Sequence, residues 1–167
     1  QAGIPRSDDF NRGNNFGCGY FHVNQKNGRR YSAARGFLKP VLNRPNLVVR
    51  TEASVEKIVI ENGRATGLQY RLQNGALREV HARAEVILSA GAVNSPHLLQ
   101  LSGIGNEKDL APLGVKMVHN LPGVGANLQD HLEVYVQYKC KQPVTQQPSL
   151  KFWKRPWIGF LWLFFRT

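Results

Sequence analysis

Residues 91–105 read Gly-Ala-Val-Asn-Ser-Pro-His-Leu-Leu-Gln-Leu-Ser-Gly-Ile-Gly, and they directly follow the apolar run Val-Ile-Leu-Ser-Ala at 86–90. A continuous apolar run of this length is typical of a strand buried on both faces of a parallel sheet. Proline favours the first turn of a helix, and glycine favours the position just after its end. We therefore predict a strand over 85–89, then a helix that begins at Pro96 and ends at Gly103.

The turn between this strand and this helix is a candidate cofactor site. Ser95 or Asn94 would cap the helix, and the small residues Ala90 and Gly91 would let a ligand lie close against the backbone. The N–H groups at a helix N-terminus favour phosphate groups. Many strand-to-helix turns in α/β domains bind nothing, so the segment needs support from the rest of the chain.

Several β-rich segments precede the apolar run, and short turns separate them. Glu61-Asn62-Gly63 and Asn74-Gly75 have the composition of tight hairpin turns. An antiparallel meander inserted between the strands of a parallel sheet indicates an α/β fold. The predicted strands are 47–51, 55–60, 65–72 and 76–82.

The remaining segments give shorter predictions. Residues 1–45 predict an extended loop with one helix from Ser32 to Leu38, capped by Ser32 and stopped by Pro40. A second short helix is predicted over 106–113, closed by a glycine at position 114. After Asp130 apolar and polar residues alternate, which predicts a strand. The apolar members of that strand are Leu132, Val134 and Val136.

A second motif, Leu-Pro-Gly-Val-Gly-Ala-Asn-Leu-Gln-Asp-His at 121–131, follows the first. Together the two segments resemble the signatures of the glucose–methanol–choline (GMC) family of flavin oxidoreductases. Residues 133–144, 2–9 and 28–36 are most similar to its choline-oxidising branch. The resemblance implies a fragment of a Rossmann-like FAD-binding domain with an antiparallel β-meander, plus parts of an α+β substrate domain. The implied division is a segment covering the flavin and the substrate cavity (1–45), part of the FAD-binding domain (46–128) and the start of the substrate domain (129–167).

The resemblance also implies which residues bind FAD. Val55 matches a family valine whose backbone reads the adenine edge, and Ala90 and Gly91 would accommodate the adenosine or pyrophosphate part. Val55 is equally a plain core valine, and the glycines of the second motif can serve a tight turn alone. The cofactor-binding residues implied by the resemblance are Val55, Ala90, Gly91, Gly123, Gly125 and Asn127.

Glu133 and His131 are the candidate substrate-binding residues. In the choline-oxidising relatives the glutamate two positions after the Asp-His pair meets the trimethylammonium group, and Glu133 stands at that position. A carboxylate attracts a fixed cation that cannot donate a hydrogen bond. A glutamate at an arbitrary strand position is more often exposed to solvent than bound to a ligand. We expect His131 to form a buried hydrogen bond with Asp130 and not to act as the catalytic base.

The implied reaction is FAD-dependent oxidation of choline to betaine aldehyde, a step towards glycine betaine. The chain lacks the family's Gly-rich fingerprint and its C-terminal histidine, so we expect an internal fragment that carries no catalytic residue and is inactive alone. Alternatives are another primary alcohol as substrate, or an inactive flavin-binding fragment. Electrons would pass to a membrane quinone or to oxygen. The expected location is the cytoplasmic face of a bacterial inner membrane or the cytoplasm, with the mitochondrial inner membrane as the alternative.

Composition narrows the partners. The net charge of +11 comes from scattered cations rather than a block, which argues against nucleic acid as a partner. Cys18 and Cys140 lack the spacing of metal ligands, so no metal site is expected. Both thiols are expected to be free and partly buried, with a disulfide as the open alternative. The basic, Trp-containing segment 151–165 predicts either peripheral membrane association or a packed edge of the substrate domain.

Overall fold

The computed structural model describes residues 3–139, 141–142 and 151–165. The chain divides into two compact units: Arg50–Tyr135, and Gln1–Val49 together with Val136–Thr167. The predicted domain boundaries at 45/46 and 128/129 stay a prediction.

The unit that contains the N-terminal segment begins with a small hairpin. Strand β1 (Gln25–Lys26) pairs antiparallel with β2 (Arg29–Arg30). The turn residues Asn27 and Gly28 have φ values of 51° and 64°, the left-handed conformation that a two-residue hairpin turn requires. This hairpin was not predicted from the sequence, although an Asn-Gly pair is its usual signal.

The predicted helix in this unit is confirmed, but its ends differ from the prediction. One π-helical turn (Ala34–Leu38) continues into a 3₁₀ helix (Lys39–Val41). Ser32 does not cap it with its side chain; instead the Ser32 carbonyl accepts a hydrogen bond from the Gly36 N–H at 2.9 Å. Pro40 does not stop the helix, because it lies in the first turn of the 3₁₀ segment, where a missing N–H costs nothing.

The C-terminal part of the same unit is helical. A 3₁₀ turn (Phe152–Lys154) leads into α3 (Arg155–Phe165). The Trp162 indole N–H donates to the Gly28 carbonyl at 2.8 Å, and the Arg29 guanidinium lies 5.7 Å from the Trp162 ring. Among the described residues, no helix is long and apolar enough to cross a bilayer.

The meander predicted in the second unit is confirmed. Strands β3 (Ala53–Glu61), β4 (Arg64–Leu72) and β5 (Leu77–His81) form an antiparallel sheet in that order. Asn62 and Gly63 adopt φ values of 50° and 75° in the first turn. Both turns lie where the Asn-Gly pairs predicted them.

Helix α1 (Gly91–Leu101) packs on β3 and begins five residues earlier than predicted. The Ser95 hydroxyl accepts the N–H of Ala90 at 3.0 Å, so this side chain supports the helix start from inside the helix. Pro96 therefore lies within the helix rather than at its first position. The predicted end is confirmed: Gly103 follows Ser102 with a φ of 83°.

Three predicted strands are absent from the described residues. Residues 85–89 and 132–136 pair with no other described strand, and Ile87 and Leu132 are 77% and 96% exposed. Residues 47–51 likewise form no strand. A strand is stabilised by its neighbour's hydrogen bonds, so an apolar or alternating pattern alone cannot form one.

The chain beyond α1 forms a small α/β element. Strand β6 (Ile104–Gly105) pairs in parallel with β7 (His119–Asn120). This pair was not predicted, because a strand of two residues shows no periodicity in the sequence. Between them, α2 (Glu107–Leu110) is capped by the Asn106 side chain, and a 3₁₀ turn (Ala111–Leu113) ends at Gly114 with a φ of 70°. This confirms the second predicted helix.

The core of this unit is centred on Ser102, which is 1% exposed. Its hydroxyl accepts the N–H of Ile58 at 2.8 Å and donates to the Leu98 carbonyl at 2.7 Å. Ile58 and Leu98 are themselves buried. Ser102 thus joins β3 to the last turn of α1 by a fully satisfied buried hydroxyl.

Candidate cofactor and substrate site

A cavity of about 730 Å³ lies between the start of β3 and helix α1. Both Val55 and Ala90, predicted from separate motifs, line it. Its size falls in the range of small-molecule sites. The fold therefore brings two of the predicted cofactor residues together. The lining residues are Ser54, Val55, Glu56, Ala90, Asn94, His97, Leu98 and Leu101.

Helix α1 begins at this cavity, since Ala90, which precedes its first residue, and Asn94 in its first turn both line the cavity. The first N–H groups of a helix have no partner within the helix, and its dipole favours an anion there. Gly91 has a φ of 90°, and no atom lies within 4 Å of the position that a Cβ would occupy. Glycine is therefore required here for its backbone conformation, and the side towards solvent stays open. The lining is mixed, with Val55, Leu98 and Leu101 among its apolar members and four polar residues beside them. An adenosine with its phosphates has both kinds of surface, so the residues present fit this part of a dinucleotide.

Glu56 is the carboxylate on the rim of this cavity, and its charge is compensated. The Arg71 Nε and Nη2 donate to its two oxygens at 2.5 and 3.0 Å. The hydrogen bond to Glu56, followed by its negative charge, raises the pKa of Arg71 above the usual value. A paired carboxylate repels an approaching phosphate less than a lone one would.

The Gly-rich loop is attached to the same helix. The Gln100 Nε2 donates to the Val124 carbonyl at 3.3 Å, and a Cβ on Gly125 would lie 2.9 Å from that nitrogen. Gly125 and Asn127 have φ values of 79° and 57°. The positive φ of Gly125 favours glycine whether or not a cofactor binds, which agrees with the interpretation that these glycines serve a tight turn. Gly123, Gly125 and Asn127 do not line the cavity of Val55, and their role in binding a cofactor stays a prediction.

The candidate substrate residues lie on an exposed segment without regular secondary structure. The Tyr135 hydroxyl donates to the Glu133 carboxylate, and this bond raises the pKa of Tyr135. The expected buried Asp130–His131 contact is wrong: the bond is exposed and runs from the His131 backbone N–H to the Asp130 Oδ1 at 2.8 Å. The structure does not place Glu133 or His131 on the cavity of Val55, and their substrate roles stay predictions.

The prediction for the cysteines holds only in part. Cys18 is free but exposed, so the expectation of partial burial is wrong for it. Cys140 lies outside the described residues. Within residues 3–139, 141–142 and 151–165, no cluster of His, Cys, Asp or Glu could hold a metal ion.

Comparison with known proteins places this geometry in a family. The family model described as GMC oxidoreductase matches residues 1–133. The oxygen-dependent choline dehydrogenase of Cronobacter sakazakii is 50% identical over 167 residues, which cover 98% of this chain and 30% of that protein. The chain thus spans about a third of the length of the curated relatives it matches.

Solved structures agree with the assignment. An FAD-dependent oxidoreductase from Chaetomium thermophilum matches with a TM-score of 0.71 and 29% identity, over 84% of this chain and 25% of the other. Pyridoxine 4-oxidase from Mesorbium loti matches with a TM-score of 0.55 and 36% identity, over 59% and 19%. The α/β flavoprotein fold implied by the resemblance is confirmed, and FAD is the cofactor that goes with it. By sequence and by fold, the chain belongs to the GMC oxidoreductase family.

Proposed function

We propose that this chain is part of an FAD-dependent oxidoreductase that converts choline to betaine aldehyde. The observation that carries the proposal is the 50% identity to a choline dehydrogenase over nearly the entire chain. The presence of a glutamate at position 133 supports the same substrate, because an uncharged alcohol would leave this carboxylate without a counter-ion.

Each part of the chain has a distinct task in this proposal. Val55 and Ala90 hold the adenosine part of the cofactor, and the start of α1 offers its N–H groups to the phosphates. Glu133 holds the substrate cation and so orients the alcohol carbon. When bound, FAD supplies the acceptor for the hydride that leaves this carbon. The hydroxyl proton goes to a histidine, which the family resemblance assigns to sequence outside this chain.

The test is anaerobic reduction of the flavin in the full-length protein, followed by its absorbance. We expect choline to bleach the flavin faster than its neutral isostere, 3,3-dimethylbutan-1-ol, at equal concentration. Bleaching by the isostere, benzyl alcohol or pyridoxine, but not by choline, would contradict the choline assignment and leave the family assignment intact.

A second candidate substrate class is an uncharged primary alcohol. The structural match to pyridoxine 4-oxidase favours it, because the same fold region there belongs to an enzyme named for another substrate. The substrate panel above separates the two classes. If no alcohol reduces the flavin, the remaining interpretation is an inactive flavin-binding protein.

Filling the cavity is expected to weaken cofactor binding. Ala90→Leu would add three carbon atoms to a wall that the cofactor must approach closely, and we expect FAD occupancy of the purified full-length protein to fall at least fivefold. The ratio of flavin to protein absorbance measures this. Ala84→Leu, an exposed alanine outside the cavity, is the matched control and should retain its flavin. Equal occupancy in both variants would place the cofactor elsewhere.

The electron acceptor and the location remain parts of the proposal. We propose a membrane quinone or oxygen as the acceptor, with the protein at the cytoplasmic face of a bacterial inner membrane, in the cytoplasm or at the mitochondrial inner membrane. The exposed aromatic residues Trp153 and Trp157 beside Lys151, Lys154 and Arg155 are compatible with peripheral attachment.

A further inference from the structure

Tyr135 contacts Glu133, the residue proposed to hold the substrate cation. The Tyr135 hydroxyl donates to one carboxylate oxygen of Glu133. Where a chain is extended, side chains two residues apart can lie on the same face. Tyr135 is 78% exposed, so the contact is not a product of core packing.

We propose that Tyr135 is a positioning residue for Glu133, whose hydroxyl fixes the carboxylate so that it meets the cationic end of the alcohol substrate. This inference rests on the proposed function. It assigns Tyr135 to substrate affinity and not to the chemical step, because the phenol acts through Glu133 and touches neither the alcohol carbon nor the flavin.

The chemistry of the cation explains why a positioning residue is useful. A quaternary ammonium group has no N–H and cannot select one orientation of a carboxylate by hydrogen bonding. A free glutamate side chain loses rotamer entropy when it is held in place. A hydroxyl that already bonds one oxygen removes part of this loss before the substrate binds and leaves the second oxygen to face the cation.

The protonation state of Tyr135 suits this task. The hydrogen bond to Glu133 raises the pKa of the phenol, because the phenol donates this bond only while it is protonated. The hydroxyl therefore remains a donor throughout the neutral pH range.

The experiment compares Tyr135→Phe with the wild type in the flavin-loaded, full-length protein. Phenylalanine keeps the ring and removes only the donor. We expect the apparent dissociation constant for choline, from the concentration dependence of flavin reduction, to rise about fivefold, the scale of the net contribution of one ordinary hydrogen bond, because the contact is exposed to solvent. The limiting rate of reduction should change less than twofold. Tyr138→Phe removes another exposed hydroxyl at an odd spacing from Glu133 and is the matched control.

Three further readouts separate positioning from a structural effect. The apparent dissociation constant for 3,3-dimethylbutan-1-ol, which carries no charge, should be the same in Tyr135→Phe as in the wild type. In a Glu133→Gln background, Tyr135→Phe should cause no additional loss for choline. The phenolate absorbance of Tyr135, taken as wild type minus Tyr135→Phe, should develop at a lower pH when Glu133 is glutamine.

The outcomes are distinguishable. Suppose that choline reduces the wild-type flavin. If Tyr135→Phe then binds choline as tightly as the wild type, or loses affinity for the neutral isostere by the same factor as for choline, the positioning role is overturned and the proposed function stands. If choline does not reduce the wild-type flavin, both are overturned.

Discussion

Replacing Glu133 by glutamine is expected to raise the dissociation constant of the full-length protein for choline about 100-fold. The amide keeps the size of the side chain and one acceptor oxygen, removes the negative charge and replaces the second oxygen by an NH2 donor. Removing one charge of a buried, hydrogen-bonded pair costs about 2–5 kcal/mol, and each 1.4 kcal/mol is a factor of ten in affinity. A 100-fold change lies at the lower end of this range, because choline forms no hydrogen bond with the carboxylate. The limiting rate of flavin reduction should fall much less, since the carboxylate binds the end of the substrate that does not react.

The control for this prediction is a second exposed glutamate. Glu61 stands at the end of β3 beside the hairpin turn, and Glu61→Gln removes the same charge there. Choline affinity should be unchanged in Glu61→Gln. A Glu133→Gln protein that binds choline as tightly as the wild type would remove Glu133 from the substrate site.

Replacing Gly103 by alanine is expected to destabilise the protein by about 3 kcal/mol, the sum of a strained left-handed residue and an overpacked contact. The φ of Gly103 is 83°, and its added Cβ would lie 2.3 Å from the Lys116 carbonyl oxygen and 3.1 Å from the Val118 nitrogen. These are backbone atoms, so no side chain can move aside. The free energy of unfolding in urea, measured on the full-length protein, gives the loss.

Gly114 provides a matched control for this substitution. Its φ of 70° is also left-handed, but nothing lies within 4 Å of its Cβ position. Gly114→Ala should therefore cost only about 1 kcal/mol, the conformational part alone. Equal losses at the two positions would mean that the close approach of residues 116–118 to Gly103 does not limit stability.

Local signals predicted the elements that depend on local chemistry. Asn62-Gly63 predicted a turn because two consecutive left-handed residues favour this pair, and Gly103 predicted a helix end for the same reason. The start of α1 was predicted five residues late, because proline is permitted at the first position but does not require it. The Ser95 hydroxyl that supports the true start gives no distinct signal in sequence.

Elements that depend on distant partners could not be predicted from their own residues. The apolar run at 86–90 has the composition of a buried strand, yet pairing with a neighbour is what makes a strand. The candidate site shows the same division. Family motifs identified Val55, Ala90 and Glu133, whereas the contact between Glu133 and Tyr135 became visible only with side-chain positions.

The hydroxyl of Ser102 ties together the two walls of the cavity that Val55 and Ala90 line, because one wall is β3 and the other is α1. A ligand that binds only the assembled cavity stabilises the folded unit by an amount that grows with the logarithm of its concentration. The walls cannot separate without exposing this buried hydroxyl and the N–H of Ile58. For a ligand held in this cavity, release and unfolding of residues 50–135 are therefore linked equilibria, and the unliganded protein is the form in which this unit opens to proteases first.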